Sequence, residues 1–393
     1  MPTPALDPPV PPGDVDALRR HFPHTDDRIY LNHAATSPLS RAVTEAMQTH
    51  LKQRQGAART AQIDDFESLL SVIEATRSQV ADLLQADTER VDFAPNTSSA
   101  LNLLADGLDW RPGDRVAVPD CEFPTNVFPF KKLEAQGVAL DFIPTERGTF
   151  TVDDVACTLT PDTRLVSVSW IQFLSGFRAD IEAIGALCHD RDILFCVDAI
   201  QGLGAFALDV EAAHIDFLAA GTHKWLMGTQ GLAVFYVREA LQEQLTPPIG
   251  WLHGPVNWTE LDAYELALHD DARRFRTGTM NALGIVALHA ALTLRDAFGG
   301  ARVAKRTQHL ARRLAEGCRD LGLDAYLPHP PESGIVTLDA DNAESVHEAL
   351  ADERIIGACR NGKLRLSPAY YVTEAEIDRT LAALKRICTP THA

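Results

Sequence analysis

The chain has 393 residues, 46% hydrophobic and 23% charged, which suits two or three domains around a large core. Thirty-six Lys and Arg against 54 Asp and Glu give a formal net charge of −18, which argues against nucleic-acid phosphates or anionic membrane surfaces as partners. Seven scattered cysteines (121, 157, 188, 196, 318, 359 and 388) without a CxxC predict reduced cytoplasmic thiols, not a disulfide frame or a metal site.

Along the chain, the Pro-rich start carries no basic or apolar leader pattern, and apolar stretches such as 284–294 are too short to span a bilayer. Short apolar runs then alternate with amphipathic segments. Candidate strands fall at 28–31, 90–94, 115–119, 139–143, 165–170, 193–197, 217–220 and 232–237. Over 65–85, Phe66, Leu69, Leu70, Ile73, Val80, Leu83 and Leu84 recur at helical spacing. Most strands are continuous apolar runs, as expected of a sheet covered on both faces. A Pro/Gly/Trp-rich loop follows at 246–258, where Trp251 and Trp258 fit loop packing, and then a polar stretch at 273–281. Helices at 282–298 and 302–321 lead to strand 334–338, helix 343–352, strand 363–366 and helix 374–387. The pattern predicts an α/β protein: an N-terminal segment 1–29, a large domain 30–265 and a smaller α+β domain 282–393. Its ligand cleft is expected at the carboxyl ends of the large-domain strands.

Lys224, in Gly-Thr-His-Lys-Trp-Leu, directly follows the run 217–220 and so sits on a turn beyond a strand end. Bulky neighbours would desolvate it, lowering its proton affinity and making it an amine nucleophile toward an aldehyde. Asp198 ends the run 193–197, where a carboxylate is costly without a cationic partner. An aspartate to keep a pyridine nitrogen protonated, and a lysine 26 residues later to condense with the aldehyde of the same ring, point to pyridoxal phosphate. Phe-Ala-Pro-Asn-Thr-Ser-Ser at 93–99 leads from a strand into a helix, a start suited to phosphate. Neither GxGxxG nor GxxxxGK[ST] occurs, which disfavours a nicotinamide dehydrogenase or a nucleoside triphosphate site.

Asp198-x-x-Gln201, Thr222-His223-Lys224-Trp225, the segment 93–99 and Arg276-Thr-Gly-Thr-Met-Asn281 together resemble the class V aminotransferase family of fold-type I pyridoxal phosphate enzymes. That family includes cysteine desulfurases, selenocysteine lyases, kynureninases and isopenicillin N epimerase-like proteins. The resemblance covers roughly residues 30–387 and implies a large, mostly parallel seven-stranded sheet domain with a smaller C-terminal domain. It further implies that Lys224 binds the cofactor aldehyde and moves protons at the substrate carbon, and that Asp198 pairs with the pyridine nitrogen. Gln201 then reaches the ring oxygen or the phosphate region and Gln172 lies near the same oxygen, Phe123 stacks on the ring, and Thr97, Ser98, Thr222 and His223 contact the phosphate. Thr279 reaches the phosphate of a partner subunit in a homodimer with shared sites, Arg365 grips the substrate α-carboxylate, and Asn32 and His33 approach the substrate.

Two departures separate the chain from the desulfurase pattern: Phe123 stands where those enzymes stack a histidine, and Cys359 precedes Arg365 by only six residues, too close for a mobile thiol loop. The resulting expectation is an enzyme acting on an amino acid at Cα or Cβ. Lyase chemistry (C–S or C–C cleavage) stands ahead of transamination or epimerisation, and a true cysteine desulfurase further behind. A non-catalytic binding protein on the same fold is the alternative outside enzymes. The joint presence of Lys224, Asp198 and Arg365 speaks against it.

Overall fold

The computed structural model describes residues 6–57, 64–256, 260, 262, 264, 266–327, 329–340 and 342–388. Seven strands form one sheet in the order Val91–Ala94, Ala233–Val237, Phe217–Gly221, Leu194–Asp198, Thr163–Ser169, Arg115–Pro119 and Ala139–Ile143. Only Ala233–Val237 runs against the other six. Strand alternation splits the apolar runs between two cores. Val166, Val168, Val197, Leu218, Ala220 and Val234 face one side, packing with the helices Ile181–Asp190 and Ala282–Phe298. Leu165, Cys196, Phe217, Ala219 and Phe235 face the other, packing with the helix Thr97–Gly107. The sheet is therefore a septum covered on both faces. Among the described residues no single helix is long and apolar enough to cross a membrane.

A second, antiparallel sheet has the order Ala358–Arg360, Lys363–Leu366, Val336–Asp339 and Asp324–Ala325. Its first two strands meet at Asn361-Gly362, where φ angles of 49° and 70° match a two-residue turn with both central residues left-handed.

One expected strand goes elsewhere. Ile29–Tyr30 stays out of the large sheet and pairs in parallel with Ile355–Ile356. The Ser367 amide donates to the Leu31 carbonyl at 2.6 Å, and Ile29 and Leu31 bury themselves in this crossing. The preceding residues hold to the same end of the chain: Arg19 donates to both carboxylate oxygens of Glu376 at 2.8 and 3.0 Å, and Phe22 stacks on Tyr371 with ring centres 3.9 Å apart. This anchoring delivers residues 32–37 to the carboxyl edge of the large sheet.

Arg276, from the motif that ends at Asn281, has a structural task. It donates to both oxygens of the fully buried Asp92 at 2.7 and 3.0 Å, tying the polar stretch to the edge strand. Removing one member of such a pair strands the other charge away from water. Asp92→Ala is expected to lower unfolding free energy by about 3–5 kcal/mol in chemical denaturation; a loss below about 1 kcal/mol would show the guanidinium finding other partners.

Candidate active site

A cavity of about 440 Å³ opens at the carboxyl ends of the central strands, and Thr97, Ser98, Phe123, His223, Lys224 and Arg365 are among its walls. A larger one, about 610 Å³, lies against Thr145, Phe150, Arg178, Leu327 and Glu332, and no lysine is among its described lining residues.

The turn bearing Lys224 is tied down from several sides. The Ser37 amide donates to the His223 carbonyl at 2.8 Å, and the Ser37 hydroxyl donates to the Lys224 carbonyl at 2.6 Å. The Gly228 amide closes the turn onto the Thr222 carbonyl at 2.8 Å. Beneath it, the Trp225 indole donates to Gln201 Oε1 at 3.0 Å, and Gln201 Nε2 donates to the Ala34 carbonyl at 2.9 Å. Gly204 (φ +100°) lets the backbone pass the Trp225 carbonyl, which any Cβ there would strike. With its backbone fixed and its side chain desolvated, Lys224 has its amine pushed from 10.5 down to about 8. Burial is the main cause; the Asp198 charge opposes the shift and the Arg365 charge adds to it.

Asp198 is 1% exposed at the end of its strand, and its Oδ1 accepts from the Ile200 amide at 3.0 Å. Burial raises its carboxyl to about 7; the nearby Glu122 charge adds to that rise, while Lys224 and the Ile200 bond oppose it.

Glu122 is a site residue that the sequence motifs do not reveal. Its Oε1 accepts from the Ser169 amide at 2.7 Å and from Gln172 Nε2 at 2.9 Å, and its Oε2 accepts from the Ser169 hydroxyl at 2.5 Å. Burial pushes its carboxyl up, and those donors oppose the shift. This clamp fixes the segment that hangs Phe123 over the cavity, with its ring 44% exposed and its centre 5.8 Å from Lys224 Nζ. The available signal was an acid just past the apolar strand Arg115–Pro119 and next to an aromatic residue.

Thr97 and Ser98 open the helix Thr97–Gly107. Asn96 caps it by accepting from the Ser99 amide at 2.8 Å, which leaves the Thr97 and Ser98 N–H groups outside the intrahelical ladder. Gly221 permits the close approach here, since a Cβ would meet Thr97 Oγ1 at 3.1 Å and His223 Cε1 at 3.2 Å. His223 is half-buried, and desolvation lowers its pKa, with Lys224 adding to the effect. Arg365 is 2% exposed; its Nη1 donates to the Phe173 carbonyl at 2.5 Å, while its buried Nε has no partner. Burial lowers its pKa to about 10, and the charge acting beside it is another cation, Arg360.

Several expected residues stand outside the cavity wall. The Thr222 hydroxyl is spent on the Thr229 carbonyl at 2.7 Å. Gln172 serves Glu122. His33 is fully buried, with Nδ1 on the Ser367 carbonyl at 2.9 Å and Nε2 on the Tyr371 hydroxyl at 2.8 Å. Desolvation takes its pKa to about 3, so it is a neutral strut. Asn32 bridges to Ser367, and Ala34 and Ala35 line the cavity in place of Asn32 and His33. Thr279 is exposed and away from its own cavity, Trp251 is 48% exposed, and Trp258 lies outside the described residues. Cys359 sits mid-strand, half-buried against the core, and no cysteine is among the described residues lining the cavity.

The residues present fit pyridoxal phosphate. A lysine of depressed pKa, an open helix start and an exposed aromatic face line one cavity, and a buried guanidinium there keeps an unpartnered donor; Asp198 is not among the described lining residues, but its buried carboxyl acts on the lysine's charge. The sheet and this site define a fold-type I, pyridoxal phosphate-dependent enzyme. The family model "Aminotransferase class-V" matches residues 29–379, and the chain belongs to that family. A probable cysteine desulfurase of Pyrococcus abyssi is 30% identical, over 96% of this chain and 97% of that protein. The apo cysteine desulfurase of Thermococcus onnurineus NA1 superposes with a TM-score of 0.86 at 26% identity, covering 95% of this chain and 98% of its own. C-DES, described as a cystine C–S lyase in complex with its product cysteine persulfide, shares the fold at TM-score 0.87 and 22% identity, with 94% and 100% of the two chains covered. A mutant of it holds glycine linked to its PLP cofactor.

Because an amine reacts with an aldehyde in its neutral form, the rate at which the apoprotein takes up pyridoxal phosphate is expected to rise with pH through about 8 and level off above it. A rate still climbing tenfold per unit at pH 10 would show an unperturbed lysine.

Proposed function

We propose that the chain is a C–S β-lyase acting on a cysteine-derived amino acid, with the sulfur leaving in the product instead of passing to a protein thiol. The observation that carries this is the pairing of Lys224 with Arg365 on one cavity from which Cys359 is turned away.

When bound, pyridoxal phosphate supplies an aldehyde for the substrate amine and a ring that accepts the electron pair released at Cα. Thr97 and Ser98, at the helix start, would hold its phosphate beside His223. Asp198 would keep a proton on the pyridine nitrogen, and its burial makes the carboxylate depend on that cationic partner. Arg365 offers its unpartnered Nε to the substrate α-carboxylate, which orients the Cα–H bond. Lys224, poised near pH 8, takes the Cα proton, and the Cβ–S bond then breaks with its electron pair leaving on sulfur. Phe123 screens the cavity mouth from water. The homology to desulfurases supports sulfur chemistry. Cys359 sits two residues from a tight turn on a paired strand, which supports release over transfer to the protein. The shared-site homodimer belongs to this proposal: Thr279 is exposed, as are the apolar side chains Ile249 and Leu266 in the preceding loop.

With L-cystine and water, such a lyase gives pyruvate, ammonia and cysteine persulfide. Cys359→Ser is expected to keep roughly half or more of that activity, whereas Asp198→Asn should keep cofactor and lose most turnover. Alanine as the organic product, together with a persulfide trapped on Cys359, would overturn the lyase assignment. A second check concerns Lys224 itself: the loaded protein should absorb near about 420 nm, and Lys224→Ala should lose that band while keeping its fold.

A further inference from the structure

The cavity of about 610 Å³ takes no part in the chemistry proposed above, and among the described residues it shares no wall with the active-site cavity. Glu146, Phe150, Phe177 and Arg178 line it from segments that follow strands of the large sheet, and Leu327 and Glu332 from the connection between two strands of the second sheet. Its volume falls in the range of about 300–1,000 Å³ usual for small-molecule sites. Fastenings beside it keep the two sides in place. The Ser333 hydroxyl donates to the Gly176 carbonyl at 2.7 Å, and Arg147 Nε donates to the Tyr326 carbonyl at 2.6 Å. A Cβ at Gly176 would come within 2.8 Å of Ile335, so the sides meet closely there.

Arg178 is held here by rings alone. Its Cζ stands 5.2 Å from the centre of the Trp170 ring and 5.2 Å from that of Phe206, and those two rings meet edge-on at 74°. The stacking fixes the guanidinium and spends none of its N–H donors, which make no hydrogen bond or ion pair among the described residues. Burial lowers its pKa, and the charges of Glu332 and Glu182 oppose that shift. Glu332 therefore acts on Arg178 without closing a bridge to it. Of the other carboxylates in the wall, Asp154 is spent on the amide and hydroxyl of Thr151, both at 2.7 Å, whereas the Glu146 side chain has no partner among the described residues. The apolar part of the wall is an edge-to-face pair, Phe150 and Phe177, with ring centres 5.3 Å apart, together with Leu327.

We infer that this cavity is a second ligand site, separate from the active site, and that it takes a free aromatic α-amino acid. An oriented fork with unspent donors suits a carboxylate. A plain anion would also meet the free charges of Glu146 and Glu332, and a plain cation would leave Arg178 unanswered. A zwitterion answers both, with its carboxylate on Arg178 and its ammonium toward Glu332. The Phe150–Phe177 pair then offers faces and edges to an aromatic side chain.

The test is calorimetry on the pyridoxal phosphate-loaded enzyme after borohydride reduction, which fixes the cofactor on Lys224 so that no added amine condenses with it. L-phenylalanine should bind with a dissociation constant of about 1 mM or tighter. It should bind about tenfold tighter than L-alanine, 2-phenylethylamine or 3-phenylpropionate, which lack in turn the aromatic ring, the carboxylate and the ammonium. Arg178→Gln should weaken L-phenylalanine about tenfold or more, and Glu332→Gln about threefold. Leu327→Trp, which fills the cavity from the second sheet and leaves Arg178 in place, should abolish binding. A dissociation constant weaker than about 1 mM, or a truncated ligand that binds as well as L-phenylalanine, would overturn the inference. So would affinity that survives Leu327→Trp, because the ligand would then sit in the active-site cavity. Where Arg178→Gln lowers the thermal midpoint, the decision falls to Leu327→Trp and to Glu332→Gln, whose side chain is exposed.

Discussion

The site depends on one electrostatic constraint: Lys224 and Asp198 must both be kept from water at the open end of a sheet. Burial works on them in opposite senses, taking the amine down to about 8 and the carboxyl up to about 7. Each pKa is thereby brought toward physiological pH, where small changes in surroundings move protons. Holding that balance requires stiff backbone. It comes from the parallel strand ends below, the Gln201–Trp225 contact beneath the turn and the Ser37 bonds from the N-terminal segment. The anchoring of residues 19–31 against the C-terminal helix and strands therefore bears directly on the chemistry, because it positions the segment that pins the lysine.

Parts of this were legible from sequence because they obey local rules. Lys224 and Asp198 stand at the ends of apolar runs, where a charged side chain needs a reason. Asn96-Thr97-Ser98-Ser99 is a helix start whatever surrounds it. The alternation of strands and helices gave the α/β sheet. What escaped were assignments that depend on contacts distant in sequence. Run 28–31 looks like any other strand, and only its pairing with Ile355–Ile356 removes it from the large sheet. His33 sits in a suggestive motif, yet its two ring nitrogens are taken by Ser367 and Tyr371, more than 330 residues away. Glu122 becomes visible only once Ser169, at the end of its strand, and Gln172, just past it, arrive beside it. Thr222 lies next to the chemistry in sequence, but the hairpin after it claims its hydroxyl.

Relation to the desulfurases is likewise a matter of geometry. The chain shares their fold across nearly its whole length. The departures noted in the sequence fall in two places, at Phe123 over the cavity and at the short Asn361-Gly362 connection of the C-terminal sheet.

That connection, Asn361-Gly362, joins two strands whose pairing is set by Ala358–Arg365 and Arg360–Lys363. Two-residue turns at a hairpin tip are also where a chain tolerates insertions, since the flanking ladder holds register without them. A longer loop grafted there would leave Arg365 in its strand and hang new side chains beside the cavity mouth. On the function proposed above, the fold would keep substrate binding and the fate of the leaving group on separable pieces of chain, so that one chemistry could be exchanged for another by editing a single hairpin tip.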